Sequence, residues 1–426
     1  MLSLSLIAIP IVIIVRVIRP FLLVRFRSLN SPRIGHFAAN TELFLCERDI
    51  GLHGGRTLDI FYLLPQVCNK YLELKWKQQL HISSLARPLD IVNRLVPGGG
   101  RHVIPISSDK DVHGLLVHTR THIEFTPKEE ESGQTALEEL CIPKDAPFVC
   151  LYTRDSAYLS STYPTWGEWG RHDFRDSSIH HCIPAAEELA KRGYLTLRMG
   201  AIVKDALKTT NPRIIDYASK GRTDFLDIFL CSHCSFFIGS TAGLSAIPRI
   251  FRRPIAYINF IPLEAEHLLS CASNSLFIPK KLWIKEKKRL MTFPEIVNSG
   301  VGKFNQSHQY EKLGIELIEN TPEEITALAL EMDCRLKGTW QSAQEDEELQ
   351  QRFLSQFKPI QPQGPIKTRV AVELDKRIKW TWQRTSEDEE LQKRLRTNFN
   401  ASEFSYGQIR TRIGAEFLRD NREILG

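Results

Sequence analysis

Three short stretches of the chain carry residue types and spacings suited to holding and attacking a phosphorylated substrate. In the first, the apolar run Ser235–Ile238 breaks into Gly239-Ser240-Thr241-Ala242-Gly243 and resumes as a helical pattern over Leu244–Phe251. A strand that ends in small residues and feeds a helix exposes backbone N–H groups and the positive end of the helix dipole, which suits a phosphate or diphosphate. A plain strand-to-helix turn that uses glycine for its φ angles gives the same pattern. No Lys follows, so this is not a P-loop.

In the second stretch Arg154, with Asp155 beside it, directly follows the apolar run Pro147–Tyr152. A guanidinium there can offer a bidentate fork to a diphosphate; the alternative is a surface ion pair with Asp155 or Asp173. Downstream, Arg171-His172-Asp173-Phe174-Arg175-Asp176 is a second polar cluster, with His172 and Arg175 either touching substrate or belonging to a self-neutralised loop. The third stretch is Arg33-Ile34-Gly35-His36, read as a strand end and glycine turn, with Asn40-Thr41-Glu42 in the following helix or its cap. Gly35 permits close backbone approach, and Asn40 is a polar group beside it. His36 or Glu42 can serve as general base toward a hydroxyl if a cleft moves its pKa toward neutrality. Capping side chains at a helix start are the other reading.

The elements that must position these residues form an α/β pattern. Strands are expected at Thr57–Leu64, Arg101–Ile106, Pro147–Tyr152, Tyr194–Met199, Ile214–Tyr217 and Pro254–Ile258, and helices at Asn69–Leu80 and Ile179–Arg192. Strand-helix-strand repetition over 147–259 predicts a parallel, doubly wound sheet. In such a sheet Arg154 and the Gly239–Gly243 bend share the carboxyl edge, where open α/β sheets bind ligands. About 25 residues separate Tyr152 from the next helix, against ~2–6 in an ordinary connection of this type. That loop holds Tyr158, Tyr163, Trp166 and Trp169, too aromatic for disorder, and reads as a wall or lid of the site.

A chain of 426 residues predicts more than one domain. The net charge of +6 is dispersed and no nucleic-acid-binding signature is present, which argues against a nucleic-acid partner. Nine cysteines, many inside apolar runs, suit reduced, buried thiols better than a disulfide framework. Cys231-Ser-His-Cys234 lacks a second ligand pair, which disfavours structural zinc.

Residues 2–15 form an apolar run spanning about 21 Å as a helix, short of the ~30 Å hydrocarbon core. Extending it to Val24 includes Arg16 and Arg19, which can snorkel with Arg25 and Arg27. Residues 1–28 are therefore expected to be a membrane anchor, spanning or interfacial, that contacts the membrane through 2–24; a buried N-terminal helix is the alternative. The basic residues all follow the apolar run, which places the remaining chain at the cytoplasmic face of the inner membrane. At the other end, 339–357 aligns with 381–399 at an offset of 42, with 11 of 19 positions identical. Two copies are too few for a solenoid, so this reads as a peripheral tandem duplication. Ser342-x-x-Glu345 and Ser386-x-x-Glu389 have the pattern of capping boxes.

The segments RIGHFAANTELFLCERD, CNKYLELKWKQQL, FVCLYTRDSAYL, DFRDSSI, 223–259 and RIGAEFLRDNREIL together resemble a family of bacterial glycosyltransferases from surface-polysaccharide loci. The resemblance covers most of 30–357 and 400–426, with the second TWQ copy as an insertion. More distantly, Tyr152-Thr153-Arg154-Asp155 is similar to the strand-end arginine motif of fucosyltransferases. Tyr152 stands where that motif commonly has His, which counts against fucose as donor sugar.

The resemblance implies a GT-B-like fold. Residues 29–142 would form a Rossmann-like acceptor domain and 143–300 a Rossmann-like nucleotide-sugar domain. Residues 301–426 would be a helical extension whose last helix packs back on the first domain. It implies sugar transfer from a nucleotide-sugar donor to a glycan or lipid-linked acceptor. The diphosphate would sit between Arg154 and Ser240–Gly243, with Asp224 orienting ribose or base, or merely capping its helix. No DxD motif suits a divalent cation, so metal independence is expected and no cofactor is called for. A sugar-nucleotide 2-epimerase, a polysaccharide pyruvyl transferase and a non-catalytic membrane scaffold are the rival readings.

Overall fold

The computed structural model describes residues 2–106, 109–164, 169–271, 274–358 and 409–426, with side chains from Ala8 onward. The second repeat copy at 381–399, its Ser386–Glu389 cap pattern and Trp166 lie outside the described residues.

The first part of the chain is a small parallel α/β unit. Helix α1 (Leu2–Val17) precedes strand β1 (Leu23–Leu29), helix α2 (Ile34–Asp49), strand β2 (Thr57–Leu63), helix α3 (Lys70–Gln79), strand β3 (His81–Ile82) and helix α4 (Ala86–Leu95). The three strands pair in parallel in the order β1-β2-β3. Asn69 caps α3, its side chain accepting from Leu72 N–H at 2.7 Å. The strand expected at Arg101–Ile106 is reduced to one bridge, Val103 to Phe26, after a short 3₁₀ turn at Gly99–His102. Pro105 has no N–H to extend a ladder there.

The anchor reading changes form. Helix α1 ends at Val17, and the chain is in β1 by Leu23, so the apolar run does not continue as a helix to Val24. Sixteen residues rise about 24 Å. Among the described residues no helix is long and apolar enough to cross a membrane.

The second part carries a seven-stranded sheet. Its strands are β4 (Phe148–Tyr152), β5 (Leu195–Arg198), β6 (Ile214–Ile215), β7 (Phe236–Gly239), β8 (Ile255–Phe260) and β9 (Leu276–Pro279), completed by β13 (Arg412–Ile413) at the far edge. The order is β13-β9-β8-β7-β4-β5-β6 and every pairing is parallel. Strands β4, β7 and β8 are almost wholly buried, as expected of a parallel sheet covered on both faces. A separate antiparallel sheet is formed by β10 (Lys281–Ile284), β11 (Arg289–Leu290) and β12 (Ile315–Ile318).

The C-terminal region corrects two expectations. The helix Pro322–Leu336, started by a Thr321–Glu324 capping box, packs on the helix Ile183–Lys191 and thus belongs to the second α/β unit rather than to an extension. The expected final helix forms only over Ala415–Asp420, after a short strand, β13, at Arg412–Ile413. Among the described residues that helix packs mainly on Pro322–Leu336, with Ala415 N–H on Glu331 at 2.8 Å, rather than on the first unit. In the first repeat copy the helix is Gln344–Leu354; its start is bonded by Asp346, which accepts from Ala343 N–H at 3.1 Å, one residue later than the Ser342–Glu345 pattern predicts.

The two units share buried core. Phe37 and Trp76 from the first and Phe229 and Phe237 from the second belong to one apolar cluster. Helix α2 packs on the helix Ala246–Ile250, and α3 on the helix Asp224–His233.

Candidate functional site

A cavity of about 560 Å³ lies where the start of α2 faces the carboxyl ends of β4, β7 and β8. Strand pairing brings two of the predicted stretches together: Tyr152 is opposite Gly239 in the β4–β7 ladder, and Arg154 N–H donates to Ser240 Oγ at 3.0 Å. From the other side come Arg33, Gly35 and His36, with Asp109 and Lys110. Thr241, Ala242, Gly243, Asp155, His172 and Arg175 also line the cavity.

The Gly35 reading is corrected in form but not in place. Gly35 and His36 sit in the first turn of α2, not in a loop. The glycine is required by packing: a Cβ on Gly35 would come within 2.9 Å of Gly243 Cα, and one on Gly243 within 3.1 Å of Ile34 Cγ2. The two backbones touch here, which seats one unit on the other.

Several predicted site residues have other roles. Gly239 and Ser240 do not line the cavity; Ser240 is fully buried and fixes the chain at Arg154. Asp224 is also absent from the lining. Its Oδ2 accepts from Lys70 N–H at 2.6 Å and its carbonyl from Asn69 Nδ2 at 2.9 Å, tying α3 to the second unit, while Thr223 is the residue that caps the helix. Asn40 lies half-buried on α2, outside the lining.

Glu42 likewise lies outside the cavity lining. It has no exposure and is held by Arg252 Nη1 at 2.6 Å, with His122 Nδ1 lying 3.2 Å away. Glu42, Cys46 and His122 cluster with ligand-type atoms within 4.8 Å of one another. The Arg252 guanidinium already supplies the cation there, and burial pushes the Cys46 thiol up to about 12.

Arg154 is the largest change. It is only 5% exposed and its Nη1 pairs with Asp176, while the same atom also donates to the His172 carbonyl at 3.1 Å. Nη2 of the fork is buried without a partner among the described residues. The bend at 240–243 also contributes less dipole than its pattern predicts, because a 3₁₀ turn, Gly243–Ser245, and a helix of just five residues follow it.

Other cations supply what Arg154 does not. The lining holds seven Arg or Lys side chains against three Asp. Of these, Arg222 is paired with Asp227 at 2.6 Å and Lys110 with Glu264. Arg33, Arg171, Arg175 and Arg249 form no ion pair among the described residues; Arg249 reaches only main-chain carbonyls, those of Asp109 and Ser270. Among the described residues, Nε of Arg175, Nε of Arg249 and both ring nitrogens of His172 are buried without a hydrogen-bond partner.

The electrostatic signs agree with this census. Burial, then Arg154 and Arg33, lowers Arg175 to about 10. Burial, then Arg175 and Arg154, lowers His172 to about 4, so its imidazole is neutral near pH 7. Burial and then Arg171 lower Arg33. Asp227, on the cavity wall, is raised to about 6 by burial despite Arg222.

Sequence reasoning missed Arg33, Lys110, Arg249 and Asp227 as lining residues. Asp227 had a signal, since it lies one helical turn beyond Asp224. Lys110 and Arg249 had none, because long-range packing alone brings them to the cavity.

No protein-family model matches the chain, and no curated protein matches it. Among solved structures, the chain path is similar to that of the glycosyl transferase family 9 protein from Veillonella parvula DSM 2008. The TM-score is 0.41 with 9% identity, over 73% of this chain and 96% of that one. It is also similar to E. coli ADP-heptose LPS heptosyltransferase II, with a TM-score of 0.33 and 10% identity, over 60% of this chain and 90% of that one. At one residue in ten identical, these likenesses identify neither a substrate nor a site residue of this chain.

Proposed function

We propose that the protein is a glycosyltransferase that moves a sugar from a nucleoside-diphosphate donor to a hydroxyl of a glycan or lipid-linked acceptor in surface-polysaccharide synthesis. The observation that carries this reading is the set of buried, partnerless donors on Arg175, Arg249, Arg154 and His172 around one cavity. Buried N–H groups of this kind are rarely left unmade, and a diphosphate offers many acceptor oxygens in a small volume. In the transfer, the bond from the sugar's anomeric carbon to the diphosphate oxygen breaks and a bond to the acceptor oxygen forms. The nucleoside diphosphate leaves with the electron pair, and the arginines stabilise the charge it gains. The acceptor proton passes to His36, which lines the cavity with Nδ1 3.7 Å from Asp109 Oδ2.

The test is a thermal-shift and calorimetric screen of nucleoside diphosphates against the full chain, followed by donor hydrolysis or transfer assays with the His36→Ala variant. Stabilisation by one nucleoside diphosphate, with transfer lost in His36→Ala while binding persists, supports the reading. Stabilisation by phosphoenolpyruvate instead would indicate pyruvyl transfer. Silence to every anion would overturn the proposal.

A further inference from the structure

Helices α1 and α4 pack against each other, and the contact is fixed by one side chain. The Arg16 guanidinium donates to Pro97 O at 2.7 Å, Asn93 O at 3.0 Å and Val96 O at 3.2 Å, which are carbonyls at and just beyond the end of α4. Ala8, Val12 and Val15 are buried on the same side, the first two against Val92. With one flank held in this way, α1 is part of the first unit and not a detachable span.

Its other flank is unpartnered among the described residues. Ile9, Ile13 and Val17 recur at four-residue spacing and are exposed, Val17 by 70%, with Phe21 beyond them at 74%. Helix α4 adds Ile91 and Leu95, again four apart, with Leu95 exposed by 79%. The carboxyl ends of the two helices meet where Arg16, next to Val17, bonds the Val96 carbonyl just past Leu95. Large apolar side chains contiguous across two elements mark an interaction surface.

Charge selects the occupant. Between Ala8 and Leu29, and between Ser84 and Arg101, the one acidic residue is Asp90. It is buried and bonded to Tyr62 OH and Arg94 Nε, each at 2.9 Å. Arg19, Arg87, Arg94 and Arg101 are exposed. An apolar face with a purely cationic margin matches the interface of a bilayer containing anionic lipid.

We infer that the α1–α4 pair is a single membrane-docking face that lies in the interface of an anionic bilayer, with α4 as an essential half of the contact. The arrangement needs nothing from the cavity, so it stands or falls independently of the transferase reading.

Co-sedimentation of the full chain with phosphatidylethanolamine–phosphatidylglycerol vesicles and with phosphatidylcholine vesicles tests it. The wild type should partition onto the anionic vesicles and come off as salt rises. Ile91→Ser with Leu95→Ser, which leaves α1 intact, should lower the partition coefficient at least about tenfold. Arg19→Glu with Arg87→Glu, a second and independent variant, should erase the preference for anionic lipid. The inference is overturned if wild type stays in the supernatant or if the α4 variant binds like wild type. It is equally overturned if ultracentrifugation shows a dimer that Leu95→Ser dissociates, because a second copy then covers the face.

Discussion

Gly35 in the first turn of α2 and Gly243 at the end of the β7 bend meet backbone to backbone, with 2.9 Å between the place of a Gly35 Cβ and Gly243 Cα. This contact sets the separation of the two units at the mouth of the cavity. Arg252 reinforces it from the second unit, reaching Glu42 at 2.6 Å and Arg120 O at 2.8 Å from a backbone with φ of 59°. Each relationship gives a measurable expectation.

Gly35→Ala forces the two backbones apart. Overpacking of this kind costs about 1–3 kcal/mol. Urea unfolding should show a lower midpoint with unchanged slope, and anion binding should weaken because His36 and Arg33 shift with the helix. Unchanged stability and binding would show that the contact is slack.

Arg252→Ala leaves the Glu42 carboxylate buried without its guanidinium, a loss of about 3–5 kcal/mol for a pair of this type. Glu42→Gln should also destabilise the fold while leaving nucleoside-diphosphate affinity within about twofold, since Glu42 is outside the cavity. If Glu42→Gln instead abolished transfer in a stably folded protein, the structural assignment of Glu42 would be wrong.

Arg175→Met should act in opposite directions on stability and binding. In the empty protein its cation is desolvated and repelled by Arg154 and Arg33, so replacing it should leave stability equal or higher. A charged hydrogen bond to ligand is worth about 1.5–3 kcal/mol, so affinity should fall roughly ten- to a hundred-fold. Denaturation and calorimetry on one sample measure both.

Asp176→Asn should release Arg154 toward the ligand. The internal carboxylate competes with any anion for that guanidinium. The variant is therefore expected to lose stability in the empty state and to recover it in excess diphosphate, read as a larger ligand-induced rise in Tm than wild type shows.

His172 sets a pH dependence. Its folded pKa, about 4, lies below the ordinary 6.5. The empty fold is thus unpenalised above pH 6.5 and loses stability as pH falls from there toward 4, where the unfolded chain takes up the proton first. A bound anion offsets the neighbouring arginines and raises that pKa, so binding near pH 5.5 should take up protons. Calorimetry in two buffers of different ionisation enthalpy measures this, and His172→Gln should reduce the uptake.

Local pattern carried a large part of the architecture. Short apolar runs marked β4, β7 and β8, and the parallel order followed from helices between strands. The adjacency of Arg154 and the 239–243 bend was legible for the same reason: both follow strands of one sheet, and ladder pairing places Tyr152 beside Gly239. Where local pattern misled, tertiary packing had overridden it. The Arg101–Ile106 run met Pro105 and a 3₁₀ turn, and the start of the expected last helix gave a strand to the sheet edge.

The sequence by itself determined that this is an α/β chain with a cationic strand edge, because alternation of apolar runs and the charge of Arg154, Arg171 and Arg175 are properties of neighbours along the chain. Tertiary structure alone decided which of those charges stay unpaired in the cavity. An arginine's availability depends on whether a carboxylate distant in sequence reaches it. Asp176 meets Arg154, Arg252 meets Glu42 across 210 residues, and Arg175 meets none among the described residues.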